Sequence, residues 1–268
     1  MSGRHLAGAS PAPPEDAPDG SPAGPPDDSP SGGADGGAVP TAVRGRGLAL
    51  RGGRPATGFE GVDVEAPAGA LVVVRGGTGS GKTALLLALA GRLRLDAGRL
   101  DVLGHSLPGG ASAVRRAVAL GGVRGVDDLD DVLTVGQHVA ERLVLHQPWW
   151  RPWATRAAVE DRLAHLRGLL GEQAPALDAD ALVGDLPPLD RALLAAGLGL
   201  LGRPEALAVD DVDALRRAAD RRRAWAALAA LRTATGRPLT VLATCTDSTD
   251  LPADTPGPVV VVDLEDPR

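Results

Sequence analysis

Leu71-Val72-Val73-Val74-Arg75-Gly76-Gly77-Thr78-Gly79-Ser80-Gly81-Lys82-Thr83-Ala84 opens with four apolar residues and runs straight into a glycine-rich loop. An unbroken apolar run of that length fits a strand buried on both faces. From Gly81 to about Leu93 the chain is apolar all round, as in a helix buried beside a sheet. Gly76 to Thr83 spells G-x-x-x-x-G-K-[ST] between that strand and that helix. Glycines let backbone wrap closely around phosphates, so that successive N–H groups point inward. The helix N-terminus adds its positive dipole end. Gly76, Gly77, Thr78, Gly79, Ser80, Gly81, Lys82, Thr83 and Ala84 are therefore expected to cradle ATP. Lys82 would bridge the β- and γ-phosphates, and the Thr83 hydroxyl would take a Mg²⁺ position. The bland alternative is a glycine-rich surface turn, which leaves the flanking strand and helix unexplained.

Composition sharpens this reading. The 268-residue chain has 28 Lys and Arg residues, yet Lys82 is its single lysine. Ile, Asn and Tyr are absent and Phe59 is the only phenylalanine, a bias that points to a GC-rich coding genome. Under that bias basic positions have become Arg, and the compact ammonium persists where a phosphate cradle needs it. A single cysteine, Cys245, rules out an internal disulfide and fits a reducing cytoplasm. No apolar run approaches the roughly 18 residues that span a bilayer, and the first forty residues show no apolar leader stretch. Residues 1–42, dominated by Pro, Gly, Ala, Ser and Asp, are expected to be a disordered tail. The tail reads as a solubilising linker, with a specific binding role as the alternative. Its six acids face Arg4 alone, so most of the net charge of −6 sits there. The remainder is close to neutral and lacks the footprint of a nucleic-acid binder.

From residue 43 apolar segments alternate with helical patterns, which indicates an α/β fold. Short strands are expected at 48–50, 62–64, 71–74, 100–103, 117–120, 206–209, 239–244 and 259–262. Helices are expected at 134–145, 156–170, 189–201 and 213–235. Ala206-Leu207-Ala208-Val209-Asp210 is an apolar strand ending in a carboxylate, so Asp210 is the expected Mg²⁺ partner of Thr83. A helix N-cap is its alternative role. Asp211 follows, where an acid could polarise an attacking water; it too could be an N-cap.

Residues 45–265 resemble the ATP-binding cassette (ABC) ATPases. The likeness is strongest from Phe59 to Pro108, where the strand, loop and helix are followed by Leu89-Ala90-Gly91-Arg92-Leu93 and by Asp96-Ala97-Gly98-Arg99-Leu100. Leu133-Thr134-Val135 and Gly202-Arg203-Pro204-Glu205 also fit that family's order. The resemblance implies a P-loop NTPase domain over residues 43–268 with an inserted helical subdomain at about 134–200. It further implies a homo- or heterodimer of cassettes around two ATPs, cytoplasmic and peripheral on the inner face of the cell membrane, coupled to a transmembrane transporter subunit. Lys82 and Asp211 would then be the catalytic residues.

Several of that family's residues are replaced. Leu186-Pro187-Pro188-Leu189-Asp190 stands where Leu-Ser-Gly-Gly-Gln is usual, and prolines have no amide to offer a phosphate. No Gln occurs between Asp96 and Gly136, Cys245 occupies the switch-histidine position, and the usual Glu is Asp211. No aromatic lies near Gly52-Gly53, where an adenine-stacking Tyr is usual. The binding half of the site is thus intact and the hydrolytic half eroded. Two readings follow: an ATPase subunit powering a transporter, or a nucleotide-binding regulatory subunit with little turnover. A small-molecule kinase has no acceptor signature behind it. Among weaker signals, Trp149, Trp150 and Trp153 are expected either to pack on their own lobe or to meet a membrane subunit. Arg216, Arg217 and Arg221 to Arg223 read as a solvated helix face, and Cys245 as a small buried residue rather than a reactive thiol.

Overall fold

The computed structural model describes residues 39–51, 58–150, 153–175 and 177–264. The chain enters as an antiparallel hairpin, β1 (Thr41–Leu50) and β2 (Phe59–Pro67). Strand β3 (Leu71–Arg75) then leads through the glycine loop into α1 (Lys82–Leu89). A second hairpin, β4 (Ala97–Val102) and β5 (His105–Leu107), precedes α2 (Ala111–Ala117) and β6 (Val118–Leu120). Three helices follow, α3 (Val135–Leu145), α4 (Arg156–Leu170) and α5 (Pro188–Gly199). The last elements are β7 (Ala206–Val209), α6 (Ala218–Ala234), β8 (Thr240–Cys245) and β9 (Val259–Asp263).

These strands build two sheets. One is antiparallel in the order β2-β1-β4-β5, and the other is parallel in the order β6-β7-β8-β3-β9. Strand β3 lies between β8 and β9, with Val73 level with Ala243 on one side and Val261 on the other. Its side chains alternate between two cores. Val72 and Val74 join Leu85, Leu86 and Leu89 of α1 and Leu100 and Val102 of β4. Leu71 and Val73 join Trp225, Leu228 and Leu231 of α6. Burying each such side chain contributes roughly 1.5–3 kcal/mol, and Leu86→Ala would cost on the order of 2–5 kcal/mol. A third cluster, with Val139, Leu163, Leu166, Leu194 and Leu198, fills the helical part between α3, α4 and α5.

The structure lengthens or shifts several expected elements. Helix α1 stops at Leu89, because the chain turns at Gly91 with φ of 68°. Strand β1 begins at Thr41, inside the stretch read as tail; the rest of that expectation, up to residue 38, lies outside the described residues. Helix α3 starts where Thr134 accepts from the Gln137 amide and the Gln137 side chain accepts from the Thr134 amide, a reciprocal cap. Helix α6 begins at Ala218 rather than at 213, since residues 212–214 form a separate tight turn. No described helix is long and apolar enough to cross a membrane.

Candidate functional site

The loop leaves the carboxyl end of β3 at the edge common to the parallel strands, the place where open α/β sheets bind ligands. Its first residue is fixed from two sides. The Gly76 amide donates to the Cys245 carbonyl at 3.3 Å, and a Cβ on Gly76 would come within 2.5 Å of Ser80 Oγ. Gly81 turns the chain into α1 with φ of 88°, a left-handed value that glycine adopts without strain. The amides of Gly77, Thr78, Gly79, Gly81, Lys82, Thr83 and Ala84 donate no backbone hydrogen bond among the described residues. The first turn of α1 holds no acid. A run of unspent N–H groups at a helix N-terminus is a site for an anion. Ser80 Oγ is fully buried and has no partner among the described residues. Lys82 Nζ folds back over the loop and donates to the carbonyls of Gly76 and Gly77, each at 2.7 Å.

Asp210 reaches the loop from the end of β7. Thr83 Oγ1 donates to Asp210 Oδ2 at 2.8 Å, and Thr244 Oγ1 donates to Asp210 Oδ1 at 2.6 Å. The two hydroxyls occupy the carboxylate, and it caps no helix. Thr244 also accepts the Asp211 amide at 2.7 Å. This fixes Asp211 in the left-handed region at φ of 57°, where its side chain makes no cap bond. Such a backbone costs a non-glycine residue roughly 1–2 kcal/mol, and strain of this kind gathers at functional sites. The Asp211 carboxyl is held above the ordinary range, first by burial and then by the charges of Asp210 and Asp213. Thr244 escapes a sequence reading because a lone hydroxyl ending an apolar strand looks like strand filler. The signal was its place at the end of β8, level with the carboxylate ending β7.

The replaced positions are also placed. Pro187 caps α5 and Pro188 is its first residue, so the helix starts firmly but without amides there. Asp190 sits in its first turn, its carboxyl raised by burial. Cys245 is fully buried at the end of β8 and burial pushes its thiol up to about 12, so it is an inert core residue. Trp149, Trp150 and Trp153 are 87%, 63% and 70% exposed, which excludes packing into the lobe's core. Arg216, Arg217, Arg222 and Arg223 face solvent as expected, whereas Arg221 pairs with Asp250 at 2.6 Å. The surroundings of Gly52-Gly53 lie outside the described residues.

The unspent amides, the partnerless buried hydroxyl and the paired Thr83 and Asp210 oxygens form a donor set fitted to a nucleotide's phosphates and a hard cation. Bound there, a nucleoside triphosphate would supply a phosphoanhydride bond, held by the loop amides and Lys82.

Comparison with known proteins agrees. Residues 59–184 match the family model described as ABC transporter. A cytochrome c biogenesis ATP-binding export protein, CcmA of Cupriavidus pinatubonensis, is 37% identical over 136 residues, covering 49% of this chain and 55% of that protein. A putative ABC transporter ATP-binding protein of Methanopyrus kandleri is 40% identical over 87 residues, covering 31% of each. The chain thus spans about half the length, or less, of the curated relatives it matches. Among solved structures, CbiO1 of Clostridium perfringens, part of the ABC transporter complex CbiONQ, superposes with a TM-score of 0.65 at 17% identity, covering 83% of this chain and 85% of that one. The ATP-binding cassette MJ0796, dimeric with ADP and Pi bound, gives 0.60 at 16% identity, covering 78% and 90%. At such identities these structures establish the fold. Residues 59–184 thus match the ABC transporter family model, within a fold shared with ATP-binding cassettes.

Proposed function

We propose that this chain binds Mg-ATP and serves as the ATP-binding subunit of a transporter, coupling nucleotide binding or hydrolysis to a transmembrane partner. The observation that carries the reading is the joined site: an open amide loop with Lys82 above it, tied through Thr83 to Asp210. On this reading the amides from Gly76 to Ala84 and the Lys82 ammonium hold the phosphates, and Thr83 and Asp210 hold Mg²⁺. Asp211 accepts a hydrogen bond from water near the γ-phosphate. Two cassettes, alike or different, work together on the inner face of the cell membrane, and nucleic acid is not the ligand.

Calorimetry of Mg-ATP binding tests the assignment. A charge-assisted hydrogen bond contributes about 1.5–3 kcal/mol, so Lys82→Ala should weaken binding by roughly tenfold or more with the melting temperature unchanged. Equal affinities for wild type and variant would remove the phosphate-loop reading. Co-purification of the full chain with a multi-span membrane protein tests the partner.

A further inference from the structure

A cleft of about 260 Å³ is lined by the turn that follows α1, by β4 and the end of β5, and by α2. No residue of the Gly76–Ala84 loop lines it. Its charged lining is Arg92, Arg94, Arg115 and Asp96, and Leu95, Leu107 and Pro108 add apolar wall. Two of the guanidiniums are fixed on neighbouring carbonyls. Arg92 Nη1 donates to the carbonyls of Ala90 and Val118 at 2.9 and 3.1 Å, and Arg115 Nη1 donates to that of Gly91 at 3.0 Å. Anchored on consecutive residues, the two cations stand side by side. In each only Nη1 is spent, and Nε and Nη2 keep their N–H donors without a partner among the described residues.

No carboxylate neutralises this group. Arg92, Arg94 and Arg115 form no ion pair among the described residues. Asp96 is turned onto the chain, where its Oδ2 accepts the Arg51 amide at 2.7 Å. Burial lowers the pKa of Arg92, Asp127 opposes that and Arg115 adds to it. Asp127 itself is taken up by Arg142. Like charges held together cost free energy unless an anion joins them. We propose that this cleft binds a small organic phosphate monoester, its dianionic head on Arg92, Arg94 and Arg115 and its apolar body against Leu95, Leu107 and Pro108. The guanidinium fork matches a pair of phosphate oxygens, and one phosphate group brings about −1.5 to −2 charge near pH 7, more than a single carboxylate. Pockets for drug-sized ligands start at roughly 300 Å³, so the occupant is a smaller molecule. This inference stands apart from the nucleotide reading.

Calorimetry of the full chain tests it, with phenyl phosphate as the probe and inorganic phosphate and succinate as controls. Wild type should bind phenyl phosphate more tightly than either control. Arg94→Glu and Arg115→Ala should each weaken that binding about tenfold or more, and Lys82→Ala should leave it unchanged. Arg94 is exposed and makes no hydrogen bond among the described residues, so Arg94→Glu carries the result should Arg115→Ala lower the melting temperature. Absence of binding at millimolar probe, or equal affinity in wild type and Arg94→Glu, would overturn the proposal. Inorganic phosphate or succinate binding as tightly as phenyl phosphate would overturn the assigned chemistry. Loss of binding in Lys82→Ala with none in Arg94→Glu would put the probe in the phosphate loop, overturning this cleft and leaving the nucleotide reading in place.

Discussion

Thr83 and Asp210 lie 127 positions apart in sequence and are joined by a 2.8 Å hydrogen bond. The bond closes the helix after the loop onto the end of β7, and Thr244 holds the other carboxylate oxygen at 2.6 Å. On the proposed reading Thr83 and Asp210 would hold Mg²⁺. Asp210→Asn and Thr83→Ala should therefore both flatten the dependence of ATP affinity on Mg²⁺. The check is a magnesium titration at fixed nucleotide. Full metal dependence in both variants would place the cation elsewhere.

Turnover should be slow. Catalysis of phosphoryl transfer is mostly positioning and electrostatics. Asp211 reaches about 1.5 Å less far than Glu would, and a misplacement near 1 Å can cost on the order of 10²-fold. Steady-state phosphate release from the purified chain is expected at well under roughly 1 s⁻¹, and Asp211→Glu should raise it. A wild-type rate of several per second, lost in Asp211→Asn, would show that the shorter acid is no handicap.

Cys245 should resist alkylation. Its thiol is fully buried and raised to about 12, so almost no thiolate exists at pH 8. Maleimide labelling of native protein should be far slower than of urea-unfolded protein, and incubation with mild oxidant should leave ATP affinity unchanged. Rapid labelling of the native chain would contradict the buried placement.

The three exposed tryptophans should matter for a partner and not for the fold. Exposed substitutions usually change stability by less than about 0.5 kcal/mol, so replacing Trp149, Trp150 and Trp153 by Ser should shift the melting temperature by no more than about 2 °C. Retention on membranes bearing the transporter partner should fall. An unaltered membrane fraction would show that this loop faces water in the working assembly.

Much of this was legible from residue patterns, and the misses have physical causes. The run from Leu71 to Thr83 is readable because strand, loop and helix each carry an independent signal. Asp210 is readable as a carboxylate ending an apolar strand. Strand β5 and helix α2 escape because His105–Leu107 is too short to show alternation and Ala111–Ala117 has a single fully buried residue, Val114. Strand β1 runs longer than its apolar run because its pairing with both β2 and β4 carries it through polar and glycine positions. The late start of α6 follows from Leu215, which is buried in an extended conformation ahead of the helix. The bonds of Thr244 depend on tertiary closure, which no local pattern reports.

Helices α4 and α5 each contribute to two cores at once. Leu163 and Leu166 belong to the helical cluster, and Leu170 of the same helix to the cluster under the parallel sheet. Leu194 and Leu198 fall in the first, and Leu189 and Leu193 in the second. The helical lobe is therefore not a separable folding unit, since melting it would strip side chains from the sheet's own interior. Calorimetric unfolding should show one transition whose van't Hoff and measured enthalpies agree. Amide protons in the middle of α5 should exchange as slowly as those of β3, through global opening alone.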